Sequence, residues 1–141
     1  MKITQLSVFL ENQVGVITEM ISLLSSKGVN LRAFSVAEGV EFGIMRMIVD
    51  NLDVAIDELT KGGYKVSTTE VVCINVPNVA GGLASVLECL ARENIFIQYM
   101  YAFSEGDVAS TVIRPTDVDK CNEVLERSRD ELTSQNSLYY F

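Results

Sequence analysis

The chain has 141 residues, 48% of them hydrophobic, enough apolar material for one ordinary domain or two small ones. Its formal net charge is −8, which excludes the basic face needed for nucleic acid or an anionic membrane surface. No run reaches the length of a transmembrane helix and the first residues lack a signal-peptide profile, so a cytoplasmic location is expected.

Residues Ile3 to Glu11 alternate through Leu6, Val8 and Leu10 and read as a strand with one face toward a core. The stretch Asn12-Gln13-Val14-Gly15-Val16-Ile17 then opens a helix, with Ile17, Met20, Ile21 and Leu24 at helical spacing to about Lys27. Asn12 stands where a helix cap is expected, and Gly28 where a left-handed C-terminal cap belongs. Val29 to Glu38 reads as a second strand, and Glu38-Gly39-Val40-Glu41 as a turn into a third, Phe42 to Val49. Asp53 to Lys61 is a helix stopped by Gly62-Gly63, and Tyr64 to about Thr69 a fourth strand.

The pattern then repeats 66 positions on: Asn12 falls on Asn78, Gly15 on Gly81, Leu24 on Leu90, Asp53 on Asp119 and Leu59 on Leu125. Asn94, another residue that tolerates the left-handed conformation, takes the slot of Gly28. The second half is expected to hold strands at Ile95–Ser104 and Val108–Arg114, a helix from Asp117 and a short final strand at Leu138–Phe141. Each half, 1–70 and 71–141, thus reads strand–helix–strand–strand–helix–strand. The fold class is α+β: two ferredoxin-like βαββαβ repeats, with antiparallel sheets and helices on one face. No Pro/Gly/Ser-rich linker separates them, so one rigid unit is expected. Phe42–Val49 and Ile95–Ser104 are apolar on both faces, which calls for a second cover. The other half of the chain or a homodimer would supply it. Arg46, alone in an apolar strand, either snorkels at an edge or meets a carboxylate.

With no histidine anywhere, the commonest general base and metal ligand are missing. No C-x-x-C, phosphate-loop or nucleophile-elbow pattern occurs. Cys73, Cys89 and Cys121 lie in apolar runs, as packed, reduced thiols do. Catalytic residues, a metal site and a cofactor are all expected to be absent. A strand that turns through Asn-x-x-Gly into a helix leaves free N–H groups at the helix start, and glycine admits a ligand close to them. Candidate ligand-binding residues are therefore Asn12, Gln13, Val14, Gly15, Val16 and Ile17, with Asn78, Val79, Ala80, Gly81, Gly82 and Leu83 as their echo. Those donors suit an α-carboxylate, and the two asparagines with nearby carbonyls an α-ammonium. Tyr99 and Tyr101 join the set because a ligand between halves would meet the second strand; sheet packing is their other reading.

Two split βαβ units, each with such a turn, resemble a tandem of ACT domains. The stretches that carry the likeness are Glu11–Ile17, Gly28–Leu31, Phe42–Asp50, Pro77–Leu83 and Tyr99–Phe103. Val14 and Ala80 stand where that family commonly has proline. Asn30 matches the family at the start of the second strand and joins the candidates, whereas its echo Phe96 does not. The resemblance implies a regulatory module that binds a small molecule, most often an amino acid, and acts on a partner enzyme. An adaptor that docks through its apolar sheet face without a ligand is the alternative, and a small enzyme built from Lys, Asp, Glu and Tyr a third.

Overall fold

The computed structural model describes residues 1–129, 132 and 139–140. Its elements are β1 (Lys2–Glu11), α1 (Val16–Ser26), β2 (Leu31–Ala37), β3 (Phe42–Val49), α2 (Leu52–Lys61), β4 (Lys65–Pro77), α3 (Gly82–Arg92), β5 (Ile97–Glu105), β6 (Val108–Pro115), α4 (Val118–Arg127) and β7 (Tyr139–Tyr140). They form two compact units, Thr4–Thr69 and Met1–Ile3 with Glu70–Phe141. We refer to these as the first and second repeats. Of the expected final strand, Leu138 and Phe141 lie outside the described residues.

In the first repeat β3 lies between β2 and β1, antiparallel to both, with β4 on the other side of β1. In the second, β6 lies between β5 and β4, again antiparallel, and β7 flanks β4. Each repeat is a split βαββαβ fold. The registers coincide as well: Leu6 opposes Met47 and Val8 opposes Met45, as Val72 opposes Ile113 and Ile74 opposes Thr111. Even an irregularity is copied. An extra residue bulges β2 between Leu31 and Ala33 and β5 between Ile97 and Tyr99, and a bulge shifts which face later side chains take.

The inward side of each sheet packs on its two helices. Leu6, Val8, Leu10, Met20, Leu24, Met47 and Leu59 fill the first core; Val72, Ile74, Val76, Val86, Leu90, Ile113 and Leu125 fill equivalent places in the second. Leu24 and Leu90 are both fully buried, and truncating either to alanine should cost about 2–5 kcal/mol. One core place differs in kind. Thr111 stands where the first repeat has Met45, and its buried hydroxyl meets no partner among the described residues.

Helix ends follow the expected chemistry at three of the four C-termini. Gly28 and Asn94 have positive φ (74° and 57°), and Gly63 does the same after α2. After α1 the Val29 N–H donates to the Leu24 carbonyl, and after α3 Ile95 to Leu90, the Schellman arrangement. Those bonds delay the strands that follow, so β2 starts at Leu31 and β5 at Ile97. The second helix of each repeat is capped by side chains, Asn51 accepting from the Val54 N–H at 3.3 Å and Asp117 from that of Lys120 at 2.9 Å.

Candidate functional site: two helix-start turns

Gly15 begins α1 and Gly81 begins α3, both left-handed at φ 92° and 85°. A Cβ there would meet nothing within 4 Å, so glycine serves the backbone conformation and the space beside it is open. Neither helix has a side-chain cap, which corrects the capping role expected of Asn12 and Asn78. The chain folds back first: the Gln13 N–H donates to the Glu11 carbonyl and the Val79 N–H to the Pro77 carbonyl, both at 2.8 Å. The asparagines are thereby aimed at the hairpin of their own repeat. Asn12 Nδ2 donates to the Gly39 carbonyl and Asn78 Nδ2 to that of Gly106, each at 3.1 Å.

Among the described residues the N–H groups of Val14, Gly15 and Ile17 meet no acceptor in the chain, and neither do those of Ala80, Gly81 and Leu83. The N–H groups of Thr18 and Ala84 likewise meet no acceptor among the described residues, so each turn presents four donors at the positive end of a helix.

The first turn stands between two hollows of its own repeat. One, of about 560 Å³, runs toward the α2–β4 corner and is bounded by Glu11, Gln13, Val16, Glu19 and Tyr64. Burial, with the Glu19 carboxylate adding to it, pushes the Tyr64 phenol above its usual value. Lys65 Nζ lies 5.5 Å from the centroid of the Phe9 ring on the same rim. The other hollow, about 370 Å³, is bounded by Asn12, Val14 and Ile17 and by Val36 and Ala37 at the end of β2. Glu19, Tyr64 and Val36 were not singled out from the sequence. Glu19 stands four positions after Gly15, where a first-turn acid belongs, but the approach of Tyr64 is tertiary.

The second turn is drawn in more tightly. The Asn78 N–H donates to the Asp107 carbonyl at 2.8 Å, and Ser104 Oγ to Asn78 Oδ1 at 3.4 Å. Gly82 takes the place of Val16 and is buried; a Cβ on it would stand 2.5 Å from the Pro77 carbonyl oxygen. Of the remaining candidates, Asn30 lies at the far end of β2, its N–H bonded to Asp50 Oδ1 at 3.0 Å. Tyr99 and Tyr101 share the face of Arg114 and Val112, away from α3 and α4. Arg46 opposes Ser7 and Ser35 on the corresponding face of the first repeat. No group of three or more His, Cys, Asp or Glu among the described residues is placed to hold a metal ion, and none of their helices is long and apolar enough to cross a membrane.

A family model described as an ACT domain pair matches residues 1–140. The chain belongs to the ACT domain-pair family. A protein of known structure from Bacteroides thetaiotaomicron is 46% identical, with a TM-score of 0.88 over 92% of this chain and 90% of that one. Two regulatory subunits of aspartate kinase are similar in fold. That of Thermus thermophilus in its ligand-free form is 14% identical at TM-score 0.62, over 89% of this chain and 91% of that one. That of Thermus flavus is 12% identical at TM-score 0.64, over 92% of each chain. The two ACT repeats thus share one backbone plan, and their turns differ in how far they are closed.

Proposed function

We propose that this ACT domain pair is an amino-acid-binding regulatory module that carries out no reaction itself and acts on a partner enzyme. The observation that carries the reading is the turn at Gly15: four unclaimed N–H donors, an open glycine and hollows on both sides. An α-carboxylate fits such donors. The aspartate kinase regulatory subunits lend the regulatory half of the proposal by likeness of fold. A cytoplasmic homodimer is part of the same reading. Support for the dimer is outer strand β2, where Phe34 and Val36 are 59% and 50% exposed.

The test is a thermal-shift screen of the full chain against each standard α-amino acid at millimolar concentration. Ligand at about 100 times its dissociation constant adds roughly 2.7 kcal/mol, a rise of several degrees in Tm for a chain of this size. If no amino acid moves the curve, binding loses its support and the exposed apolar strand favours the adaptor reading.

A further inference from the structure

We infer that the β2–β3 end of the first repeat is a docking surface for a basic, apolar segment of the partner protein, one in which an apolar side chain is flanked by Lys or Arg. This rests on the partner half of the function proposed above and concerns where on this chain the partner sits and what chemistry it brings.

On the side of the sheet away from the helices, Phe9 of β1 opposes Ile44 of β3, and Glu11 opposes Phe42. The hairpin beyond them opens a hollow of about 640 Å³, bounded by Phe9, Val40, Phe42 and Ile44 and by Glu38 and Glu41. Phe9, Val40 and Phe42 are all exposed, Val40 completely. Apolar side chains exposed singly are ordinary, but three gathered at one hollow make a surface that a partner's side chain would take out of water.

The second repeat shows that the fold does not require this patch. Asn75 and Ser110 stand at the places of Phe9 and Ile44, and the Ser110 hydroxyl donates to Asn75 Oδ1 at 2.8 Å. The hairpin there is also tighter. β5 and β6 stay paired as far as Glu105 and Val108, with Gly106 and Asp107 between them. β2 and β3 part after Ala37 and Ile44, and residues 38–41 cross between the strands. The wider crossing leaves room for the hollow in the first repeat.

Charge decides which occupant fits. Glu38 and Glu41 are exposed on the rim, and among the described residues no Lys or Arg bounds the hollow. Lys65, whose ammonium is 5.5 Å from the centroid of the Phe9 ring, and Arg46, one step farther along that face of β3, lie outside it. A second copy turned onto this face about a two-fold axis would bring the same carboxylates against themselves. A segment with Lys or Arg beside an apolar anchor meets opposite charge on the rim and apolar surface within it.

The experiment measures binding of the full chain to three labelled synthetic peptides by fluorescence anisotropy. They share one core of leucine and phenylalanine and differ in its flanks: lysine and arginine, serine, or glutamate. At low ionic strength, where rim charges are least screened, the basic-flanked peptide should bind about tenfold or more tightly than the serine-flanked one. Its affinity should fall by a similar factor in Glu38→Lys/Glu41→Lys and several-fold in Val40→Ser, whose fully exposed position puts folding at no risk. It should hold in Glu88→Lys/Glu123→Lys, which reverses two exposed acids of the second repeat for the same net charge. Equal loss in that control would mean that the peptide follows the overall negative charge, and equal binding of the serine-flanked peptide that the carboxylates select nothing. Either result overturns the inference, as does absence of binding by all three peptides. Self-association in sedimentation that Val40→Ser abolishes would assign the hollow to a second copy and overturn it too. Each of these failures leaves amino-acid binding standing or falling by its own thermal-shift screen, which uses no peptide.

Discussion

Strand β2 places Phe34 and Val36 opposite Met47 and Met45, on the side of the sheet that faces the helices. At the equivalent positions β5 has Met100 and Ala102; its bulk lies on the other side, in Tyr99, Tyr101 and Phe103. The first repeat has Ala33, Ser35 and Ala37 there. The backbone is the same in both, bulge included, yet the two outer strands carry their large side chains on opposite faces. Core positions, by contrast, exchange one apolar residue for another at nearly every step. The repeats share what folding requires of each, and they differ at the outer strand and the helix-start turn, where another molecule can reach. Shared architecture is therefore no warrant for shared function.

The largest expected effect tests whether the turns differ as described. Gly82→Ala puts a Cβ against the Pro77 carbonyl and should cost about 1–3 kcal/mol, as overpacking does. The mirrored change Val16→Ala removes a half-buried side chain beside a hollow and should cost less, about 1 kcal/mol or under. Urea unfolding of both variants measures this; equal costs would mean that the second turn is as open as the first.

Much of this could be read from residue order. A 66-position offset, periodicity and glycine placement give the two repeats, and the Gly28 and Asn94 caps follow from local conformation alone. The candidate site was legible as a pair of turns but not in its detail. An asparagine before a helix looks like a cap in sequence; only the reversal at Gln13 and Val79 shows that it serves the hairpin. The bulges at Arg32 and Gln98 hid the second strands' faces, because a period of two carries no sign of an inserted residue. Tyr64 and Glu19 come together only when α2 and α1 pack.

The hairpin bonds sharpen the comparison at a smaller scale. Asn12→Ala removes one bond and should cost about 0.5–1.5 kcal/mol. Asn78→Ala removes the bonds to Gly106 and Ser104 and loosens the turn held at Asp107, so its cost should be larger. Hydrogen exchange at the Asn78 amide, which is bonded in the wild type, should speed up in that variant. Equal costs and unchanged exchange would argue that the extra bonds do not hold the second turn shut.

The last comparison concerns a place where the two cores differ by one sulfur, and its effect is confined to alkaline pH. Cys121 occupies in the second repeat the place of Ala55 in the first, and both are fully buried. Burial pushes the Cys121 thiol up to about 11 from its ordinary 9.0. The sign follows from which state lets the proton go first. Above about pH 9 the unfolded chain ionises this thiol while the folded chain keeps it protonated, so the unfolded state binds fewer protons and stability falls as pH rises. The fall ends near pH 11, where the folded thiol ionises too. Other groups titrate in that range, so the quantity to measure is the stability of the wild type minus that of Cys121→Ala, which makes the two cores alike at this place. That difference should be constant up to about pH 8 and then shift against the wild type through pH 10. A difference that stays flat across the range would mean that the thiol reaches water in the folded protein and that burial does not separate the two cores here.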